Sequence, residues 1–290
     1  MVNSTQFNIY NSKFKMVLAI QGIKGSYHHQ VATNLYGEEI ELIECPNFTD
    51  IPPLLKGQKA DKAIMAIENT IAGAILPNYN LLDEFNLHIL GEYYLPIQHQ
   101  LMALAGQNIK DIREVWSHPM ALEQCRKYFR PYPHIKLIEA KDTAEVAKII
   151  QEKQLIGIAA IASVKAAEIY QLHIIADGIQ THFSNITRFV ILSAEKGSEK
   201  PNYNKASIKF SLSDQTGSLL SALQVLKSNN LNLSKIQSLP IIEKPWEYAF
   251  FADMIFTDVM QFEKAISELI PMVNELKIFG KYEHKNSFRI

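Results

Sequence analysis

Short apolar runs separated by amphipathic stretches recur along the first two thirds of the chain. The apolar run at residues 16–20 leads into a turn that contains Gly22 and Gly25, and then into a helical pattern that ends near Gly37. A continuous apolar run followed by a glycine turn and a helix is typical of a buried parallel strand in an α/β unit. Because this rhythm continues, we predict an α/β domain over residues 16–194, large enough for two lobes with a cleft between them. Further predicted strands lie at residues 63–67, 87–90, 97–105, 115–116, 155–162 and 190–192, and predicted helices at residues 120–129 and 143–151.

A polar stretch interrupts this pattern at residues 195–204, where Gly197 and Pro201 act as breakers, and it is predicted to be a linker. Beyond it, residues 205–290 predict a second, smaller domain. Its elements follow the order β-α-β-β-α-β, which is the ferredoxin-like arrangement. The predicted strands lie at residues 205–212, 232–242, 247–256 and 276–282, and the helices at residues 218–228 and after an N-cap at Asp258.

Charge and composition exclude several classes of protein. The chain has 29 Lys and Arg against 30 Asp and Glu, so it lacks the basic excess that nucleic-acid binding requires. No apolar run approaches the roughly 20 residues that cross a bilayer, so no membrane partner is expected. Residues 1–15 contain no apolar core of a secretory signal, and the two cysteines, Cys45 and Cys125, form no disulfide framework. A cytoplasmic location is therefore expected.

Two polar motifs follow predicted strands in the first part of the chain. Gly22-x-x-Gly25-Ser26 lacks the spacing of a nucleotide-binding loop. It indicates either a capped strand-helix turn or a helix N-terminus that binds an anion. Glu68-Asn69-Thr70 follows the run at residues 63–67, at a strand end where α/β folds bind ligands. A helix start capped by Asn69 is the alternative.

Two further motifs lie later in the chain. Ser117-His118-Pro119 fits a helix N-cap followed by proline in the first turn, which leaves His118 unexplained. Arg188 lies in an otherwise apolar strand, so it must form an ion pair or bind a ligand carboxylate. Adjacent helical residues point about 100° apart, so His28 and His29 do not form a chelating pair and no metal site is expected.

Taken in order, these motifs resemble those of the prephenate dehydratase family, and the C-terminal unit resembles an ACT domain. The catalytic match is carried by Gly22-Ile23-Lys24-Gly25-Ser26-Tyr27, Glu68-Asn69-Thr70 with Gly73 and Asn80-Leu81-Leu82, Ser117-His118-Pro119 with Gln124-Cys125, and Asn185-Ile186-Thr187-Arg188-Phe189. The ACT match is carried by Thr216-Gly217-Ser218-Leu219-Leu220 and by residues 232–240. The resemblance implies a lyase of phenylalanine biosynthesis that converts prephenate to phenylpyruvate, releasing water and carbon dioxide, without a metal or an organic cofactor.

The same resemblance implies an architecture and a set of site residues. The fold would be a two-lobed, periplasmic-binding-protein-like catalytic domain with an ACT domain that binds L-phenylalanine, assembled as a homodimer or homotetramer. The implied catalytic residues are Thr187, Glu68 and Asn69; the substrate-binding residues are Arg188, Phe189, Thr70, Ser117, Gln124 and Ser26; the phenylalanine-binding residues are Gly217, Leu219, Asn232, Leu233 and Ser238.

The hypothetical roles follow from the substrate, which carries two carboxylates, a ketone and a ring hydroxyl. Arg188 would hold the side-chain carboxylate, and Thr187 would donate a hydrogen bond to the leaving hydroxyl. Glu68 is the alternative source of the proton. In the C-terminal domain, Leu239 replaces the arginine of the family's usual Glu-Ser-Arg-Pro, so loss of phenylalanine control is an alternative.

Two other functions stay open on the sequence. The first is arogenate dehydratase, whose substrate carries an amino group in place of the ketone. The second is a non-catalytic amino-acid sensor with an ACT domain. A sensor needs no donor for a leaving group, so it is disfavoured by the joint retention of four residues: Thr187, Arg188, Glu68 and Asn69.

Overall fold

The computed structural model describes residues 15–197, 203–241 and 248–284, and within them the chain forms three β-sheets. Three predicted features lie wholly or partly outside the described residues: the N-terminal extension before residue 15, part of the predicted linker, and the loop that contains Pro245. No helix in the described part of the chain is long and apolar enough to cross a membrane.

The first lobe is built on a six-stranded sheet. Its strands are β1 (Val17–Gln21), β2 (Glu41–Cys45), β3 (Lys62–Asn69), β4 (Gly73–Ala74), β5 (His88–Pro96) and β11 (Ile186–Ser193), and its helices are α1 (Tyr27–Tyr36), α2 (Ile51–Lys56) and α3 (Leu76–Glu84), with a 3-10 turn at Phe48–Asp50. The strand order is β2-β1-β3-β11-β5, with β4 paired to β3. As predicted, β1 is buried and parallel to its neighbours β2 and β3. Strand β11 runs antiparallel to β3 and β5, which brings a late segment of the chain into the centre of the sheet.

The second lobe is a five-stranded sheet with the order β10-β6-β9-β7-β8. Its strands are β6 (Gln100–Ala103), β7 (Glu114–Ser117), β8 (Lys136–Glu139), β9 (Ile158–Ala162) and β10 (His173–Ala176), and its helices are α4 (Pro119–Cys125), α5 (Thr143–Lys153) and α6 (Val164–Ile169). The chain enters it after β5 and returns after β10. The two crossing segments lie side by side, since the Ile97 amide donates to the Asn185 carbonyl over 2.7 Å.

Three elements of this lobe are shorter than predicted. Strand β9 begins at Ile158 instead of residue 155. Strand β6 begins at Gln100 because residues 97–99 form the crossover between the lobes. Helix α4 ends at Cys125 and is followed by turns up to Arg130, which precedes Pro131. Pro131 disfavours the helical conformation at Arg130 alone, and nothing in the structure explains why the helix stops before residues 126–129.

The C-terminal part forms a four-stranded antiparallel sheet with the order β13-β14-β12-β15. Its elements are β12 (Lys205–Ser211), α7 (Ser218–Ser228), β13 (Asn232–Pro240), β14 (Tyr248–Ile255), α8 (Val259–Leu269), a 3-10 turn at Ile270–Met272, and β15 (Glu275–Tyr282). Helices α7 and α8 share an apolar cluster with one face of this sheet. The predicted fold class, a two-lobed α/β structure followed by a βαββαβ unit, is confirmed.

The first lobe's sheet is covered on both faces. One face packs against α1 through Leu18, Ile64 and Phe189. The other face forms a joint apolar cluster with the C-terminal sheet, and buried residues of that sheet such as Leu239 and Phe251 belong to it. Gly280 of β15 lies so close to the backbone of Ile89 in β5 that any side chain would collide with it. The C-terminal sheet is thus docked tightly on the back of the first lobe.

Candidate active site

A cavity of about 330 Å³ lies between the two lobes. Its first-lobe wall includes Gln21, Ser26, Tyr27, His28, Asn69, Thr187 and Phe189, and its second-lobe and crossover wall includes His99, His118, Gln124, Lys141 and Asp142. A neighbouring cavity of about 440 Å³ shares Gln21, Phe48, Lys141 and Asp142 with it, so the two form one interlobe groove. The cavity is large enough for a small polar organic acid.

The hydroxyl of Thr187 is oriented by Asn69. The two residues are paired across β11 and β3, so their side chains leave the sheet on the same face. The Asn69 amide nitrogen donates to Thr187 Oγ1 over 2.9 Å and to Asn185 Oδ1 over 2.7 Å. Asn69 Oδ1 in turn accepts from the amides of Ile71 and Ala72, which fixes the orientation of its side chain. Thr187 therefore accepts one hydrogen bond, and its own proton has no partner within the described residues.

A second hydrogen-bonded chain fixes Gln124 across the cleft. Gln124 Oε1 accepts from the Asn185 amide over 2.8 Å and lies 2.9 Å from Nε2 of His99. The Tyr27 hydroxyl lies 2.8 Å from the other ring nitrogen, Nδ1 of His99. Burial lowers the pKa of His99 despite its hydrogen bond to Gln124, so the ring is neutral near pH 7. Because the Gln124 oxygen accepts from Asn185, the amide nitrogen of Gln124 is the group that can donate to a ligand.

Arg188 lies outside the cleft, which differs from the expectation that it holds a substrate carboxylate. Successive side chains of a strand alternate between its faces, so Arg188 points away from the face that carries Thr187. Its guanidinium is buried against the C-terminal sheet, where it contacts Glu92 over 2.7 Å, Asp253, and the Tyr282 hydroxyl over 2.9 Å. Arg188 therefore forms a structural ion pair, which is the other role that its place in an apolar strand left open.

Glu68 is also on the back of the sheet, because it pairs with Arg188 across β3 and β11. Its carboxylate lies 2.8 Å from the Lys235 ammonium of the C-terminal sheet and 3.8 Å from Arg188. It does not line the interlobe cavity. The geometry therefore does not place Glu68 where it could protonate a leaving group in the cleft, in contrast to the expectation.

Two other expected substrate ligands have structural partners instead. Thr70 fastens the end of β3 to the start of β11, since its hydroxyl donates to the Ser184 carbonyl and accepts from the Ile186 amide, each over 2.9 Å. Ser117 is fully buried and donates to the Ile161 carbonyl over 2.7 Å. Neither lines the cavity; at the end of β7 it is His118, the N-cap of α4, that does so. Ser26, Asn69, Gln124, Thr187 and Phe189 are the expected site residues that the fold brings together in the cleft.

Positive potential in the cleft comes from two sources. The Lys141 side chain lines the cavity, and no other lysine or arginine of the described residues does so. Ser26 caps α1 by accepting from the His29 amide, and Ser26, Tyr27 and His28 line the cavity, so the positive end of this helix dipole lies at the cavity wall. Helix α5 contributes less, because Asp142 already accepts from the amides of Ala144 and Glu145. Among the described residues no group of three or more His, Cys, Asp or Glu could hold a metal ion.

The expected phenylalanine-binding residues divide into two groups. Gly217 has a φ of +91° directly before α7, and open space surrounds the position where a side chain would begin. Leu219 in α7 and Leu233 at the start of β13 pack partly buried against the C-terminal core, and Asn232 is exposed beside Leu233. Ser238 is exposed six residues further along β13, roughly 20 Å away at the rise of a strand. It therefore lies apart from Asn232.

Several cleft residues were not singled out as site residues by the sequence. Tyr27 and His28 belong to the motif that opens α1, and His118 belongs to Ser117-His118-Pro119, so these motifs contained the signal. His99 and Lys141 stand in no quoted motif. They enter the cleft through the crossover and the start of α5, which only the packing of two lobes brings together.

Comparison with known sequences identifies related proteins along most of the chain. The sequence model of the family described as Prephenate dehydratase matches residues 18–197. A bifunctional chorismate mutase/prephenate dehydratase of Aquifex aeolicus is 33% identical over 92% of this chain and 74% of its own length. The arogenate dehydratase/prephenate dehydratase 2 of Arabidopsis thaliana is 37% identical over 91% of this chain and 72% of its own.

Solved structures share the fold over nearly the whole chain. A protein described as GqqA, a novel type of quorum-quenching acylase, superposes with a TM-score of 0.84 and 25% identity, covering 93% of this chain and 98% of its own. A prephenate dehydratase of Arthrobacter aurescens in complex with L-Phe has a TM-score of 0.81 and 23% identity, and the match covers 93% of this chain and 90% of that protein. Given the family match and the relatives above 30% identity, this chain belongs to the prephenate dehydratase family.

Proposed function

We propose that this chain converts prephenate to phenylpyruvate, and that Thr187 is its central catalytic residue. The observation that carries the proposal is the Asn69–Thr187 hydrogen bond, which occupies the acceptor side of the hydroxyl and leaves its proton for a ligand in the cleft. In the reaction, the bond between the ring and its carboxylate breaks to release carbon dioxide. The electron pair of that bond completes the aromatic ring, and the ring hydroxyl leaves with the electrons of its C–O bond and takes up a proton to become water.

Thr187 donates a hydrogen bond to the departing hydroxyl. A threonine hydroxyl is a weak acid, so it stabilises the developing negative charge instead of transferring its proton outright. Because Glu68 lies on the other face of the sheet, the final proton comes from solvent. The gain of aromaticity supplies the driving force of the reaction. The protein only has to lower the activation barrier, and a preorganised hydrogen-bond donor can do this.

The carboxylates of the substrate are bound by Lys141 and the N-terminus of α1 in place of Arg188. A helix N-terminus favours an anion because its first amides lack partners within the helix. The walls next to this end are apolar and include Phe48 and Phe189. An apolar, water-poor surrounding favours loss of the ring carboxylate, whose charge disappears as carbon dioxide forms.

The domain boundaries and the regulation are part of the same proposal. Residues 16–194 form the catalytic domain, and residues 205–290 form an ACT regulatory domain that binds L-phenylalanine near Gly217 and Asn232. Support comes from the fold shared with the Arthrobacter aurescens protein in complex with L-Phe. Leu239 is buried in the cluster between the domains, so an apolar residue suits its position. Titration calorimetry with L-phenylalanine tests the ligand, and no heat at millimolar concentration would contradict it.

We further propose that the protein acts in the cytoplasm as a homodimer or homotetramer. Light scattering on the purified full chain measures the assembly, and a monomeric mass at micromolar concentration would contradict that part. Neither point affects the chemistry proposed for Thr187, which is contained within one chain.

The activity is tested directly by incubating the full chain with prephenate and measuring the ultraviolet absorbance of phenylpyruvate in alkali. Phenylpyruvate and carbon dioxide should form in equal amounts. Arogenate dehydratase is the second candidate, and the Arabidopsis relative, whose name carries both activities, supports it. Comparison of kcat/KM for the two substrates separates these candidates. A non-catalytic sensor would turn over neither.

A further inference from the structure

We infer that His28 is a specificity-determining residue, whose neutral imidazole donates a hydrogen bond from Nδ1 to the ketone of the substrate and so favours a keto acid over an amino acid. The inference rests on the proposed function, since it takes the cleft occupant to be the substrate of a dehydratase. It concerns a side chain that the proposed chemistry does not use.

The tautomer of His28 follows from one hydrogen bond. The backbone amide of Ala66 lies 3.2 Å from Nε2 of His28. A backbone N–H can only donate, so Nε2 must be the unprotonated nitrogen of the ring. In a neutral imidazole the hydrogen then resides on Nδ1.

The surroundings keep this ring neutral. His28 is 7% exposed, and its ring makes edge contacts with Phe48 at 5.4 Å and Phe189 at 4.9 Å between centroids. Burial among these rings lowers the pKa of His28 to about 3. The ring thus presents a fixed, uncharged donor at neutral pH.

The donor is accessible from the cleft. His28 lines the interlobe cavity, and Nδ1 has no hydrogen-bond partner within the described residues. An open N–H in an otherwise apolar corner needs an acceptor, and a ligand can supply one.

His28 lies beside Phe189, which is two residues beyond Thr187 in β11. Phe189, which His28 contacts, follows Thr187 by two residues on the same face of β11, about 6.6 Å along the strand. The ring hydroxyl and the keto-acid side chain lie at opposite ends of the substrate ring. A substrate whose hydroxyl is bound at Thr187 and whose ring lies along β11 presents its side chain to Phe189 and His28.

The two possible substrates differ at this end. A ketone oxygen accepts the Nδ1 hydrogen, whereas an ammonium group only donates. An ammonium group facing Nδ1 leaves two donors opposed, and neither finds a partner. Nδ1 could accept only if the ring proton moved to Nε2, and Nε2 could then no longer accept the hydrogen bond from the Ala66 amide.

Two variants separate the donor from the structural bond. His28→Gln places an amide oxygen near the position of Nε2, which keeps the acceptor for Ala66 and removes the Nδ1 donor. His28→Asn places an amide N–H near the position of Nδ1, which keeps the donor and loses the bond to Ala66. For the full chain and both variants, kcat/KM is measured with prephenate and with arogenate, and the melting temperature is measured in parallel.

The wild-type chain should prefer prephenate. His28→Gln should lower kcat/KM for prephenate about five- to tenfold, the scale of one neutral hydrogen bond, with arogenate changed less than about twofold. His28→Asn should retain the wild-type ratio of the two substrates even if its melting temperature falls. If His28→Gln lowers both values equally, or the wild-type chain prefers arogenate, the inference is overturned while the dehydratase proposal stands. If neither substrate is consumed, the proposed function fails and the inference with it.

Discussion

Thr187 and Arg188 are consecutive residues of β11, yet their side chains belong to different parts of the molecule. Thr187 accepts a hydrogen bond from Asn69 at the wall of the interlobe cleft. Arg188 is buried on the opposite face, where it contacts Glu92 of the first lobe and Asp253 of the C-terminal sheet. One strand therefore carries both the candidate catalytic hydroxyl and a buried charged contact between the first lobe and the C-terminal sheet.

Replacing Thr187 with valine should lower kcat about 10²- to 10³-fold, the usual effect of losing one preorganised donor to a developing charge. The fold should persist because valine has nearly the same shape as threonine. Phenylpyruvate formation provides the rate, and Thr187→Ser, which keeps the hydroxyl, is the matched control. A valine variant with normal kcat would exclude Thr187 from the chemistry.

Asn69→Asp tests the direction of the hydrogen bond to Thr187. An ionised carboxylate cannot donate, so the Thr187 proton would turn toward it and away from the leaving group. The oxygen that accepts from the Ile71 and Ala72 amides is retained, so the local backbone should not change. We expect kcat to fall about 10²-fold. The melting temperature should fall as well, because the new carboxylate oxygen faces Asn185 Oδ1, to which the Asn69 amide donates. Unchanged turnover at neutral pH would mean that the orientation of the hydroxyl is not important.

Arg188→Ala should act on stability. It leaves the carboxylates of Glu92 and Asp253 buried with a reduced set of cations, and breaking a buried pair costs about 3–5 kcal/mol. Burial raises the pKa of Glu92, but the charges of Arg188 and Lys205 outweigh it and hold that pKa below its usual value. Urea unfolding at pH 7 measures the loss.

The control for this variant is Arg126→Ala. Arg126 pairs with Glu123 over 2.7 Å on the surface, where such a pair contributes about 0–1 kcal/mol. If Arg188→Ala unfolds like the wild-type chain and instead raises KM for prephenate, the role in substrate binding expected from the sequence would be restored.

The lowered pKa of His28 should make the stability of the folded chain depend on pH. Its pKa is about 3 in the folded chain because of burial, against about 6.5 when unfolded. Between these values the unfolded chain binds a proton that the folded chain does not, so stability declines as pH falls from 6.5 toward 3, by about 1.4 kcal/mol per pH unit. Both His28→Gln and His28→Asn should therefore show a slope smaller by one proton in urea unfolding across pH 4–6. Equal slopes in all three proteins would contradict a buried neutral ring.

Much of the cleft could be predicted from the sequence because its motifs follow strands. Asn69 and Thr187 both stand at strand ends in quoted motifs, and Ser26 stands at the start of a helix. Arg188 and Glu68 lie outside the cleft, in contrast to the expectation. A sequence motif groups consecutive residues, but consecutive side chains of a strand point to opposite faces of the sheet.

The sequence by itself determined the two-lobed α/β pattern, the βαββαβ unit after it, and the identity of the family motifs, since periodicity and turn residues are local properties. Only the tertiary structure decided which side of β11 faces the cleft, because that depends on its register with β3 and β5, which are distant in sequence. It also decided that Arg188 pairs with Asp253 and that the His28 ring lies against Phe189. These contacts join residues 65 and 161 positions apart, and packing alone brings them together.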